Sequence, residues 1–285
     1  MATTFDDLLR ETGILILPGA HDALSARVAV KVGARAVYMT GFGVAGASFG
    51  VPDIGLITAD QMVERVRAIA GAIAPVPLIA DGDNGHGGPL NVARLVRAYE
   101  QAGAQCIQLE DQVSPKRCGH MEGKEVVSLE DAAVKIRAAV DARSSPAFKI
   151  MARTDARATH DLDEALRRGE AFLKAGAEIL FVEAPRSESE MEKIAATFKG
   201  TPLLANLVED GKTPMLSPAA LAQMGYKIAL YPISALLAAS AAYERVYSGL
   251  LVRPFASRER VTFSEHNDIV GLSDHLALAN KYAPR

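Results

Sequence analysis

Short apolar runs recur along the chain, and several follow a glycine that closes an amphipathic stretch. Val32-Gly33-Ala34 leads into residues 36–39, Ala102-Gly103-Ala104 into 106–109, Ala175-Gly176-Ala177 into 179–182, and Met224-Gly225-Tyr226 into 228–230. A helix that stops on a left-handed glycine and hands over to a strand buried on both faces gives this pattern. Four further runs, 14–17, 77–80, 148–151 and 203–205, bring the predicted strands to eight. Apolar residues at helical spacing predict helices over 59–72, 91–102, 129–142, 162–175 and 188–198. Thr58, Ser128, Asp161, Ser187 and Ser217 stand where N-caps are needed, Pro75 and Pro77 set the start of the third strand, and Ser144-Ser145-Pro146 reads as a turn.

Eight strand–helix units over about 250 residues fit a closed parallel (β/α)8 barrel, an α/β fold, better than an open sheet. A doubly wound sheet is expected to carry a glycine-rich dinucleotide fingerprint after its first strand, and none is present. The expected division is a barrel over 1–250 and a helical extension over 251–285, with helical patterns at 234–251 and 264–282. No linker or low-complexity segment splits the chain.

Bulk composition narrows the setting. Apolar residues make up 49% of the 285 and charged ones 23%, as in a globular protein with a substantial core. A net charge of -3 without any Lys/Arg run gives no footprint for nucleic acid. Cys106 and Cys118 make no disulfide framework, and residues 1–12 carry Asp6, Asp7 and Glu11 in place of an apolar leader. No stretch approaches the roughly 20 apolar residues of a membrane span. A cytoplasmic location is expected.

In a barrel of this kind chemistry gathers at the C-terminal ends of the strands. The residues there are His21 and Asp22, Tyr38 to Gly41, Asp81 and Asp83, Glu110 to Gln112, Arg153 to Asp155, Glu183, Asn206 with Glu209, and Tyr231 to Ser234. Residues two apart on a strand face one side, so Asp81 and Asp83 are expected to enter the mouth together. Like charges that close call for a cation between them. Oxygen donors suit Mg²⁺ or Mn²⁺, with Glu110 binding directly or through water. The alternative is that the pair caps the following helix. Beyond the fourth strand, Lys116, Arg117 and His120 crowd Cys118, surroundings that lower a thiol's pKa; the other reading is a basic surface loop with an incidental cysteine. His86 reads as a loop residue and Cys106 as a core thiol.

From about Gly13 to Tyr247 the chain resembles the isocitrate lyase / phosphoenolpyruvate mutase superfamily. The motifs are Tyr-Met-Thr-Gly-Phe-Gly at 38–43, Val-Pro-Asp at 51–53, Asp-Gly-Asp at 81–83, Gln-Leu-Glu-Asp-Gln at 108–112, Lys-Arg-Cys-Gly-His at 116–120, Met-Ala-Arg-Thr-Asp-Ala at 151–156, Val-Glu-Ala at 182–184 and Ala-Asn at 205–206. The cysteine motif is similar to the signature of the lyase branch. The resemblance implies a metal site of Asp81 and Asp83, with Asp53 and Glu110 reaching the ion mainly through water. It implies that Thr40, Gly41 and Phe42 bind a substrate carboxylate through backbone N–H groups, that Arg153 pairs with substrate carboxylate, and that Cys118 is the general acid, with Lys116, Gly119 and His120 beside it. Glu183 and Asn206 match further active-site positions. Tyr38 and a metal-bound water are the two candidates for the base. A swapped C-terminal helix and a homotetramer are implied as well.

The implied reaction is cleavage of a 2-hydroxy dicarboxylate into an α-keto acid such as pyruvate and a second carboxylate. Tyr231-Pro232-Ile233-Ser234 is similar to 2-methylisocitrate lyases, which makes Pro232 part of the substrate wall. Residues 81–92 and 206–214 look more like 2-alkylmalate and 2,3-dimethylmalate lyases, and Val208 replaces a hydroxyl residue common in methylisocitrate lyases. A malate-type substrate is therefore expected. The alternatives are an oxaloacetate decarboxylase or a phosphoenolpyruvate mutase-type enzyme of the same superfamily, or a non-catalytic member that binds a keto acid.

Overall fold

The computed structural model describes residues 3–119, 121, 123–252 and 260–282. Eight parallel strands close a barrel in sequence order: β1 (Leu15–Ala20), β2 (Val37–Met39), β3 (Leu78–Asp81), β4 (Cys106–Glu110), β5 (Lys149–Thr154), β6 (Ile179–Val182), β7 (Leu203–Asn206) and β8 (Ile228–Tyr231), with β8 pairing back onto β1. The helices are α1 (Phe5–Arg10), α2 (Ala23–Lys31), α3 (Gly41–Phe49), α4 (Ala59–Ile73), α5 (Pro89–Gln101), α6 (Leu129–Ala142), α7 (Ala156–Thr159), α8 (Leu162–Lys174), α9 (Glu188–Thr197), α10 (Pro218–Met224), α11 (Ser234–Val252), α12 (Phe263–Ile269) and α13 (Leu272–Lys281). The (β/α)8 barrel expected from the pattern is present, and Gly33, Gly103, Gly176 and Gly225 all have the positive φ of a helix-ending turn.

Strand alternation builds two cores. Inward residues Leu15, Leu17, Tyr38, Ile79, Cys106, Met151, Ile179, Phe181, Leu204, Ile228 and Leu230 fill the barrel, and Phe5 and Leu8 of α1 close its lower end. A larger cluster lies between the strands' outer faces and the surrounding helices. Helix α1 has no counterpart in the sequence reading. Its start is fixed by a capping box in which Thr4 accepts from Asp7 N and Asp7 accepts from Thr4 N.

The strands run further than the apolar runs suggest. Glu110, Arg153, Asn206 and Tyr231 belong to the strands themselves, which fixes their direction more firmly than a loop would. Asp83 corrects the sequence argument. β3 ends at Asp81, and Asp83 lies beyond it with φ of 49°, so strand alternation is not what brings the two carboxylates together. The predicted helix over 264–282 is two helices, α12 and α13, separated by Gly271 in the left-handed region.

Among the described residues, one face of the barrel is left open. Strands of a parallel sheet are normally covered on both faces, yet the outward Ile16 of β1 is 52% exposed. Helix α11 follows β8 without a single buried residue and continues unbroken across position 250. The end of α12 is held to α2 through Arg27, which donates to the Ile269 carbonyl at 3.2 Å. Among the described residues no helix is long and apolar enough to cross a membrane.

Candidate active site

A cavity at the C-terminal mouth of the barrel is lined by Tyr38, Thr40, Phe42, Asp53, Asp81, Glu110, Lys116, Cys118, Gly119, Arg153, Glu183, Asn206 and Pro232, all singled out from the sequence, and also by Arg117, Phe181, Val208, Leu230 and Ile233. Gly41 and Asp83 sit directly behind this lining: a Cβ on Gly41 would lie 2.8 Å from Asp81 Oδ2 and 3.3 Å from Asp83 Oδ1. His120 lies outside the described residues.

Each element delivers one part. Thr40 caps α3, its hydroxyl accepting from Gly43 N at 3.4 Å. The Thr40-Gly41-Phe42 turn is therefore a helix N-terminus, the backbone setting that favours anions. The Gly41 N–H donates to Asp81 Oδ2 at 3.2 Å, while Asp81 Oδ1 accepts from Asp83 N at 3.0 Å and Gln108 Nε2 at 3.3 Å. The Tyr38 hydroxyl donates to Gln108 Oε1 at 2.6 Å. Burial pushes the Tyr38 phenol well above its ordinary range, and the nearby Asp81 charge adds to the rise.

Lys116 reaches in from the loop after β4. Its ammonium lies 2.5 Å from Asp53 Oδ1 and 2.6 Å from Asp83 Oδ1. Burial alone would lower this lysine, but Asp83, Asp53, Glu110 and Asp81 outweigh it and raise it well above 10.5, so it is an ammonium at neutral pH. Lys116 thus pairs with Asp53 and Asp83. Asp81 is pushed up to about 6 by burial and by the Asp83 charge, and burial also raises Glu110 well above the carboxylate range.

Arg153 is ringed by acids. Its Nε and Nη2 donate to Asp155 Oδ2 and Oδ1 at 2.9 and 3.0 Å, Nη2 lies 3.1 Å from Glu183 Oε2, and Nε lies 3.4 Å from Glu110 Oε2. The guanidinium stacks over Phe181, 5.0 Å from the ring centre. Glu183 in turn accepts from Asn206 Nδ2 at 3.2 Å.

The loop carrying Cys118 lies over these groups. Its stem is a short antiparallel pairing of Gln112 with Val126, and Val127 N donates to the Asp111 carbonyl at 2.9 Å. Higher up, Gln112 exchanges two hydrogen bonds with the Arg117 backbone, each 2.9 Å, and Cys118 N donates to the Asp53 carbonyl at 3.2 Å. Gly119 abuts Arg153 and Glu183 so closely that a Cβ there would lie 2.3 Å from Arg153 Nη2 and 2.4 Å from Glu183 Oε2. Glycine is required at this position for close approach, not for an unusual φ.

The carboxylates of Asp53, Asp81, Asp83, Glu110, Asp155 and Glu183 outnumber the buried cations Lys116, Lys124 and Arg153. Glu110 Oε1 and Asn206 Oδ1 are buried without a hydrogen-bond partner among the described residues. No three Asp, Glu, His or Cys side chains among the described residues converge into a cage that would hold an ion by protein alone. An excess of oxygen donors without a cage fits an ion of the Mg²⁺ kind, which takes one or two carboxylates and completes its shell with water and substrate oxygens.

Strand alternation would have found two of the additional lining residues. Phe181 sits two residues before Glu183, in the inward register of Ile179, and Leu230 shares the register of Ile228. Lys124 carried no such signal, because a lysine in a polar loop reads as solvated.

The phosphoenolpyruvate phosphomutase family model matches residues 5–251. A 2,3-dimethylmalate lyase from Eubacterium barkeri is 47% identical over 285 residues, covering 99% of this chain and 98% of that protein. A 2-methylisocitrate lyase from Bacillus subtilis (strain 168) is 39% identical over 282 residues, covering 98% and 92%. Among solved structures, an oxaloacetate acetylhydrolase in complex with the inhibitor 3,3-difluorooxalacetate superposes with a TM-score of 0.95 at 33% identity, covering 100% of this chain and 97% of that one. A phosphonopyruvate hydrolase in complex with oxalate and Mg²⁺ superposes with a TM-score of 0.83 at 30% identity, covering 94% of each. With the barrel, the acidic mouth and the cysteine loop in place, the chain belongs to the PEP mutase/isocitrate lyase superfamily, near its carbon–carbon lyases.

Proposed function

We propose that the chain is a Mg²⁺-dependent carbon–carbon lyase that cleaves a 2-hydroxy dicarboxylate of the 2-alkylmalate or 2,3-dimethylmalate type. The observation that carries the reading is that Cys118 lines the same cavity as Asp81, Arg153 and Glu183, beneath a loop docked on the barrel mouth. Asp81 and Asp83 would hold the ion, with Asp53 and Glu110 reaching it through water; Mn²⁺ is the natural substitute. When bound, the ion polarises the hydroxyl and neighbouring carboxylate of a 2-hydroxy acid.

The side chains then divide the work. Arg153 holds a carboxylate, and the α3 N-terminus at Thr40, Gly41 and Phe42 favours a second anionic group. The substrate hydroxyl loses its proton, the bond between the hydroxyl carbon and its neighbour breaks, and the electron pair goes to the carbon beside the second carboxylate. Cys118 delivers a proton to that carbon. For 2,3-dimethylmalate the balanced products are pyruvate and propionate. Tyr38, raised by burial and donating to Gln108, stays a neutral phenol, which leaves a water as the better base. Loop closure keeps bulk water from the carbanion.

The substrate's side chain meets Phe42, Val208, Leu230, Pro232 and Ile233. These five side chains suit methyl groups and themselves offer neither a cation for a third carboxylate nor a hydroxyl to hold an attacking water, although Arg117 and Thr40 line other parts of the cavity. They therefore favour dialkylmalates over methylisocitrate, and cleavage over hydrolysis of oxaloacetate. The open face of β1 and the unburied α11 further support an oligomer in which copies exchange their C-terminal helices, as a tetramer of this superfamily would.

The test is a panel of 2-alkylmalates, 2,3-dimethylmalate, 2-methylisocitrate and oxaloacetate with Mg²⁺, followed by keto-acid release. Turnover of a dialkylmalate is expected, with Cys118→Ser slower by about 10²–10⁴-fold and oxalate binding retained. Consumption of oxaloacetate alone, or a serine variant as fast as the parent, would overturn the assignment.

A further inference from the structure

The cysteine loop is fastened at a second point that the cleavage chemistry does not use. The Lys124 side chain is only 2% exposed, and its ammonium donates both to Asp155 Oδ1 at 2.9 Å and to the Gly119 carbonyl. Asp155 is fully buried. The same carboxylate takes the two hydrogen bonds from Arg153, and its backbone N–H donates to Asp111 Oδ1 at 2.9 Å, so it is fixed from below. Burial would push the Asp155 carboxyl up, but Arg153 and Lys124 outweigh it and hold it at about 2.

Desolvating an ammonium is costly, and Asp155 already has Arg153 as its counter-charge. Arg153 is shared with Glu183 and Glu110, so Lys124 also helps to balance Asp155, but charge balance alone would not require a bond to the loop. What Lys124 adds is the bond to the Gly119 carbonyl, one residue from the thiol. The other buried lysine of the loop, Lys116, holds Asp53 and Asp83, the carboxylates that the proposed ion would claim. Lys124 holds a carboxylate outside that set, so its grip persists when the ion and substrate are in place.

We propose that Lys124 is a positioning residue: it latches the Cys118–Gly119 turn to Asp155, and through Asp155 to Arg153, so that the thiol and the substrate-binding guanidinium are set by one buried junction. This rests on the lyase reading only for the identity of the reaction. The latch itself is a property of the loop. Opening the loop must withdraw Lys124 from Asp155 while Arg153 keeps its partner.

Limited trypsin digestion of the full-length protein under native conditions tests it, with cleavage of the Arg117–Cys118 bond followed by mass spectrometry. Proteolysis of this kind reports the population of the locally opened form. In Lys124→Met, cleavage at that bond should rise by about tenfold or more, with cleavage after Arg67 and Arg137 on the barrel helices unchanged. Unaltered cleavage after Arg117 would overturn the latch. A parallel rise at all three bonds would also overturn it, since Lys124 would then be supporting the whole fold. No turnover is needed, so failure of the substrate panel and failure of the latch are separate results.

Discussion

Asp81 makes the stability of the fold depend on pH. Burial and the Asp83 charge push its carboxyl up to about 6, whereas an unfolded aspartate titrates near 3.9 (about). Between about pH 4 and 6 the folded chain therefore keeps a proton that the unfolded chain has lost, and stability falls as pH rises through that window. A divalent cation binds only the ionised carboxylate, so its stabilising effect must grow over the same window. Mg²⁺ is expected to raise the melting temperature more at about pH 7.5 than at about pH 5, and the difference should collapse in Asp81→Asn. Equal shifts at both pH values would place Asp81 away from the ion. At this scale the sequence was informative wherever a residue's type was unusual for its place. Asp81, Glu110 and Arg153 follow apolar runs, and Cys118 stands among cations, so each was visible. Asp155 was visible too, as a strand-end residue, but Lys124 and its junction with Asp155 were not, because that junction is made by a loop folding back on the barrel, and no local spacing records it.

Among the elements, the strands were legible because each is a short buried run with a glycine or proline nearby. Helix α3 was not: Gly41, Gly43 and Gly46 lower its helix propensity, and its residues are apolar or small nearly all round, so no polar face marks out a stripe. Its N-terminal turn was nevertheless singled out, through the motif and not through the helix. The loop of residues 113–127 shows the converse. Its sequence advertised a thiol, but its docking depends on Gly119 lying against Arg153 and Glu183. Gly119→Ala would put a methyl group where those side chains already are. Overpacking of this kind costs about 1–3 kcal/mol, equivalent to about 5–150-fold in kcat/KM if the closed loop is the reactive one. Because the barrel does not depend on this contact, the melting temperature should change little. Steady-state kinetics beside a thermal melt separates the two, and an alanine variant with parental kcat/KM would show that catalysis proceeds without this docked position.

At the scale of the whole molecule, β1 is left partly uncovered by the described residues. In a closed barrel the helix after the eighth strand is expected to lie over β8 and β1, shielding residues such as Ile16. Here α11 has no buried residue, Ile16 is half exposed, and Leu237, Tyr243, Tyr247 and Leu250 are open along α11. An apolar helix face and an apolar strand face left bare in the same chain are complementary surfaces, and a second copy can supply each with its match. The sequence could place a helix at 234–251 but not say against which chain it packs, since both arrangements bury the same residues. Sedimentation at micromolar concentration is expected to show at least a doubling of the 30.2 kDa chain mass. Tyr247→Glu combined with Leu250→Glu puts two charges on the exposed side of α11 and should weaken assembly by about tenfold or more, without loss of the barrel's circular dichroism. A parent protein that sediments at the mass of one chain would leave Ile16 exposed in solution, and helix exchange would have to be abandoned.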